Sequence, residues 1–284
     1  MDTFIGRDIR FLRSQEGRIA YSVEGSGPLV IAVPGMGDLR SSYRELVVPL
    51  VAAGYRVAVT DLRGHGASDT TFRVHGDGAT GEDIIALVEE LGGPAVVLGS
   101  SMGASAAAWA AAERPDVVVG LVLYSPFLRE PAIPAAAQLV LRLLYRVALT
   151  PLWGAALWPV YYRSINRGIR APWLEEHIAA IRASLKEPGR LRSLRHLTMQ
   201  LDHSVVEDRL HRVTAPLRVF IGSADPDYPD PAAESAWIVS IGGDSELVPG
   251  AGHYPHAQRP DITVPATVEF LAGLRATDGR WARA

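Results

Sequence analysis

The chain has 284 residues, 48% hydrophobic and 21% charged, with a formal net charge of −3. That suffices for one large core, or a core with an insertion, and it argues against a general affinity for nucleic acid. No cysteine occurs, which excludes disulfides, thiolate catalysis and thiolate metal sites. The first eight residues lack the basic start and apolar run of a signal peptide, so a cytoplasmic protein is expected.

Residues 8–14 and 18–25 are predicted as strands around a Gln15-Glu16-Gly17 turn. Residues 28–33 are an unbroken apolar run, suited to a strand buried on both faces. Leu46, Val47, Leu50 and Val51 recur at helical spacing within 41–53, and Gly54 ends that stripe. A strand over 55–62 and an amphipathic helix over 81–91 follow. Next come a strand over 94–98, an alanine-rich helix over 104–113 and a strand over 117–124. This alternation predicts βαβ units: an α/β fold with a mostly parallel sheet flanked by helices.

From 128 to 212 no strand pattern recurs. Helices are predicted over 135–149, 172–185, 188–200 and 205–210. The stretch is too long for a loop in a compact domain. It is expected to be a helical cap, inserted into a core made of 1–127 and 213–284. It carries 13 Lys/Arg against 7 Asp/Glu, which reads as a solvated basic face or as a surface for anionic substrates or headgroups. Residues 132–162 are apolar, but Pro134, Arg142, Arg146, Pro151 and Pro159 interrupt them, so no membrane span is expected. Attachment to a membrane surface stays open as an alternative. Strands return at 216–222 and from Glu246.

The chemistry concentrates at strand ends. Gly99-Ser100-Ser101-Met102-Gly103 is a G-x-S-x-G pattern between a predicted strand and a predicted helix. In that context Ser101 sits on a sharp turn, where only small neighbours fit, and is a candidate nucleophile. A serine needs a base, and the base needs an orienting acid. His253 closes the loop after the strand from Glu246 and is the candidate base; His65, in a Gly-flanked turn, reads as structural. The acid lies among Asp225, Asp227 and Asp230, in the turn after 216–222. The Met102 N–H, next to the nucleophile, is a candidate oxyanion donor. Gly64-His65-Gly66 lacks both the lysine of a phosphate loop and the spacing of a dinucleotide fingerprint. No cofactor is expected, and no ligand spacing suggests a metal.

These motifs, with Val33-Pro34-Gly35-Met36-Gly37-Asp38, Asp61-Leu62-Arg63-Gly64-His65-Gly66 and the order Ser, Asp, His, resemble the α/β-hydrolase superfamily over about 15–127 and 213–275. The resemblance implies that Asp225 is the acid, matching the family's Gly-x-x-Asp turn, and that Met36 N–H is the second oxyanion donor. Pro34 stands where the family usually has histidine. The implied activity is that of a serine hydrolase cleaving a carboxylic ester, lactone or thioester through an acyl-enzyme. Alternatives are a ligand-binding or signalling protein on this scaffold, or C–C bond hydrolysis, acyl transfer or perhydrolysis at the same residues. Phe127, Leu143 and Trp158 are candidate substrate contacts. Leu139, Leu144, Trp153, Leu157, Tyr161 and Tyr162 are further candidates for an apolar acyl pocket or for the cap's own core. The expected partner is a small ester-type molecule, with no nucleic acid; the oligomeric state is not readable.

Overall fold

The computed structural model describes residues 8–130 and 135–282, the side chains of 135–139, 141 and 142 excepted. β1 (Arg10–Arg13) and β2 (Arg18–Glu24) form an antiparallel hairpin. β3 (Leu29–Val33), α1 (Arg44–Ala52), β4 (Arg56–Thr60), α2 (Asp77–Glu90), β5 (Ala95–Ser100), α3 (Met102–Glu113) and β6 (Val118–Tyr124) alternate as βαβ units. A helical stretch follows: α4 (Ala135–Ala148), α5 (Gly154–Ile165), α6 (Leu174–Leu185), α7 (Arg190–Gln200) and the short α8 (Ser204–Glu207). β7 (Leu217–Gly222), α9 (Pro231–Ser240), β8 (Asp244–Val248), α10 (Pro255–Gln258), α11 (Pro260–Thr277) and α12 (Gly279–Ala282) complete the chain.

The sheet order is β1-β2-β4-β3-β5-β6-β7-β8. β2 runs antiparallel to both neighbours, and all other pairings are parallel. Alternate residues of each central strand face opposite layers, as the two-residue period requires. Ile31, Val97 and Leu121 join the core beneath α2 and α3. Val30, Val96 and Val122 join the core beneath α1 and α11. This two-sided burial explains why these strands read as continuous apolar runs.

Helical boundaries differ from the sequence reading by a few residues. α2 starts at Asp77, because Ala79 and Thr80 are already buried. α3 starts at Met102, directly after the turn. α5, α9 and the helices after 254 were not among the predicted helices, and in α5 Pro159 lies inside the helix. Its missing N–H forfeits one backbone bond, while Trp158, Tyr162 and Ile165, at helical spacing, are buried and hold the helix in place. Among the described residues no helix is long and apolar enough to cross a membrane.

The strand order reverses between β3 and β5, so the loops after these strands diverge and leave a crevice at the C-terminal edge of the sheet. Ser101, Asp225 and His253 each follow a strand at that edge, after β5, β7 and β8.

Candidate active site

Ser101 follows β5 with φ 53° and ψ −125°. A side chain at positive φ is strained, and the packing around it fixes the strain. Ser101 N–H donates to Tyr124 O at the end of β6, at 2.9 Å. A Cβ at Gly99 would overlap Ala104 Cα, and one at Gly103 would overlap the carbonyls of Val33 and Pro34. The G-x-S-x-G glycines therefore let the helix start against two strand ends at once.

The β3–β5 register pairs Val33 with Gly99, so the loop after β3 runs beside the serine. A Cβ on Gly35 would lie 3.0 Å from Ser101 Cβ and 3.6 Å from its Oγ. Met36 and Met102 then supply the next amides on either side. Among the described residues neither amide donates to a backbone carbonyl. The loop is braced from below and behind. His65 Nε2 accepts the Gly37 N–H at 3.2 Å, while its Nδ1 faces Arg63 O at 2.9 Å. Trp158 lies flat on Gly37, and its Nε1–H donates to Gly37 O at 3.0 Å. Asp38 accepts from Leu39 N–H and contacts His177 Nε2 at 2.6 Å.

β7 and β8 deliver the acid and the base. Gly222 pairs with Val248, and beyond that pair Ala224 N–H donates to Ala251 O at 2.8 Å. This places Asp225 Oδ2 2.9 Å from His253 Nδ1, with both side chains buried. Asp227 Oδ2 stands 3.6 Å from the same nitrogen and accepts a 3.4 Å bond from Tyr161 Oη on α5. Asp230 lies apart from them and caps α9 by accepting from Ala232 and Ala233 N–H. Burial works against a charged His253, but the charges of Asp225 and Asp227 outweigh it and push the imidazole up to about 9. Burial raises Asp227 above the ordinary carboxylate range.

Phe127 stands beside this group. Its ring is 5.8 Å from His253, 5.6 Å from Tyr228 and stacked on His203 at 5.0 Å. Ser105, one turn along α3 from Ser101, bonds Phe127 O at 2.7 Å and fixes it. The other two candidate substrate contacts fall differently. Trp158 is buried against the Met36 loop, where it supports that loop. Leu143 is 52% exposed, with Val140, Leu144 and Val147 exposed along the same helix. Leu157 and Trp153 are likewise exposed, Tyr162 is buried, and Leu139 lies outside the described side chains.

The helical stretch is stapled to the histidine loop. His253 N–H donates to Ile165 O at 3.0 Å and Ile169 N–H to Gly250 O at 2.8 Å. Gln258 Nε2 bonds Arg167 O at 2.8 Å and also Ile169 O.

Asp225, Asp227 and His253 also present three ligand atoms within 4.8 Å of one another, a grouping that sequence spacing did not flag. A cation there would compete for the imidazole nitrogen that faces Asp225, so the site fits a hydrogen-bonded base better than a metal. In the 61–69 turn, a Cβ at Gly66 would overlap the Asp61 carboxylate, which accepts from Arg40 N–H and Ala67 N–H.

Sequence reasoning passed over two further histidines. His177 meets Asp38, and His203 Nδ1 meets Asp77 Oδ2 at 2.7 Å in a buried pair. Both partners lie more than 100 residues away, and no local pattern signals such a pairing.

Comparison with known proteins agrees with this architecture. The family model described as serine aminopeptidase, S33, matches residues 26–253. A 2-(acetamidomethylene)succinate hydrolase of Mesorhizobium japonicum is 27% identical, covering 95% of this chain and 96% of the relative. A pimeloyl-[acyl-carrier protein] methyl ester esterase of Chromobacterium violaceum is 29% identical, covering 87% and 95%. Epoxide hydrolase A of Mycobacterium tuberculosis is 27% identical, covering 90% and 94%. Among solved structures, an α/β-hydrolase fold protein from Burkholderia ambifaria superposes with a TM-score of 0.79 at 21% identity, over 92% of this chain and 97% of that one.

Proposed function

Because this chain belongs to the serine aminopeptidase S33 family of α/β-hydrolases, we propose that it is a serine hydrolase that cleaves a carboxylic ester, with thioesters and lactones as chemically equivalent substrates. The observation that carries this reading is the buried His253–Asp225 contact of 2.9 Å, at the sheet edge where Ser101 occupies its strained turn.

In this mechanism Ser101 Oγ attacks the ester carbonyl carbon and His253 Nε2 takes its proton. Asp225 holds the Nδ1–H and stabilises the imidazolium. The carbonyl oxygen becomes an oxyanion and accepts hydrogen bonds from Met36 and Met102 N–H, amides preset by the two loops. Collapse breaks the bond to the alkoxide, which leaves with the proton from His253. Water, deprotonated by the same histidine, then attacks the acyl-enzyme and releases the acid and free Ser101. The helices of 135–212 act as a cap over this edge, and Phe127 forms one wall of the acyl site.

The relatives include an epoxide hydrolase, but serine at position 101 favours acyl chemistry. Opening an epoxide with a serine alkoxide would leave an ether that water does not cleave, whereas an acyl-serine hydrolyses readily. A panel of p-nitrophenyl esters of increasing chain length tests the proposal. Turnover that saturates with substrate and is abolished in Ser101→Ala supports it. Binding without turnover would favour a ligand-binding role on the same scaffold.

A further inference from the structure

Helix α4 exposes Val140, Leu143, Leu144 and Val147, each more than half accessible. Their i, i+3, i+4, i+7 spacing makes one continuous apolar stripe on the outer side of the helix. The stripe does not stop at the helix end. Trp153 folds back so that its Nε1–H donates to Val147 O at 2.9 Å. Leu157 and Val160 continue the exposed line one and two turns along α5. Leu152, 83% exposed, protrudes from the bend between the two helices. A soluble surface seldom gathers so many exposed large apolar groups without a partner to cover them.

Charge beside the patch favours one partner. Between Glu130 and Glu175 the sequence has no Asp or Glu and five arginines, of which Arg163 pairs with Glu175. On the flank of α4, Arg146 lines a cleft of about 230 Å³ together with Arg195, His196 and Met199 of α7. A second copy of the chain would bring arginine against arginine across this face. A bilayer with acidic headgroups meets both features: acyl chains receive the apolar stripe, and phosphates meet the arginines. A protruding leucine and a tryptophan at the margin suit insertion at the headgroup boundary.

We propose that the outer face of α4 and α5, with the Arg146–Arg195 cleft beside it, docks the protein on membranes that carry anionic lipid. Docking places the cap against a lipid surface whatever the reaction at Ser101, and this inference stands independently of the hydrolytic reading.

The test is flotation of the full-length protein with phosphatidylcholine vesicles, with or without about a third phosphatidylglycerol. The wild type is expected to float with the anionic vesicles and at least about tenfold less with the neutral ones. Val147→Asp combined with Leu152→Asp is expected to abolish flotation. Arg146→Glu combined with Arg195→Glu is expected to lower affinity for anionic vesicles by at least roughly fivefold per arginine and to leave the weak neutral binding unchanged. Circular dichroism and an unchanged cooperative thermal transition establish that each variant is folded. No flotation of wild type with anionic vesicles overturns the proposal. So does undiminished flotation of the folded Val147/Leu152 variant. Light scattering that finds a wild-type dimer, monomeric in the Val147/Leu152 variant and indifferent to vesicles, would assign the face to a second copy instead.

Discussion

Asp227 and Asp225 address the same nitrogen of His253, at 3.6 Å and 2.9 Å. In the proposed mechanism the two carboxylates have unequal roles. Asp225 is buried within hydrogen-bond distance, whereas Asp227 is more exposed and shared with Tyr161. Asp225→Asn is therefore expected to lower kcat by roughly 10²–10⁴-fold, since an amide there favours the wrong tautomer. Asp227→Asn is expected to cost about tenfold or less and to shift the acid limb of kcat/KM to lower pH, because one raising charge is lost. Steady-state kinetics on both variants decide this. A larger loss in Asp227→Asn would transfer the orienting role.

The pH profile follows from the same geometry. His253 must be neutral to accept the Ser101 proton, and its two acidic neighbours hold the proton on until about pH 9. The plain sequence reading of an unperturbed histidine would place this limb near neutral pH. With the neighbours included, kcat/KM should rise through neutral pH and level off only on the alkaline side. Folded-state stabilisation from this group has the opposite sense: it is complete below the unfolded histidine value and is lost as pH rises through about 9. A profile flat from pH 6 to 9 would contradict the assignment.

Acid stability rests on a different histidine. His256 is fully buried between Tyr43 and Tyr124, with no hydrogen-bond partner at either ring nitrogen among the described residues. Burial holds it neutral, down to about 3. The unfolded chain binds a proton near 6.5 and the folded one does not, so its contribution is full above 6.5 and falls by about 1.4 kcal/mol per pH unit as acid is added towards 3. His75, lowered to about 4, adds to the same loss. His256→Phe should retain the fold and flatten this acid dependence, as read from Tm between pH 4 and 7. A steeper dependence in the variant would be the wrong sign.

Trp158 supports the loop that carries Met36, through its bond to Gly37 O. Trp158→Ala is expected to lower kcat by roughly 10–100-fold with a small change in KM, because a loosened donor weakens only the transition state. A change confined to KM and chain-length preference would instead make Trp158 part of the acyl pocket.

The sheet was legible because strands buried on both faces are apolar throughout, as Leu29–Val33 and Val118–Tyr124 are, between turn signals and at strand length. The turn at Ser101 was legible because its glycines are demanded by backbone overlap, which leaves a local pattern. The acid was narrowed to one residue only through the resemblance; Asp225 and Asp227 differ in their distance to a histidine more than 20 residues away. The helical stretch was the least legible. No helix was predicted over 154–165, and amphipathic spacing at Leu143 and Leu157 does not reveal whether the apolar side faces a core or solvent. The contacts of Tyr161 with Asp227 and of Ile165 with His253 arise only once α5 is placed.

The most direct measurement is covalent labelling of the purified protein by a small fluorophosphonate, with the modified peptide identified by mass spectrometry. The account requires one phosphonylated residue, Ser101, with labelling that accelerates as His253 is deprotonated and is absent in a folded Ser101→Ala variant. Labelling retained at full rate in Ser101→Ala, or directed to another residue in the wild type, would contradict it.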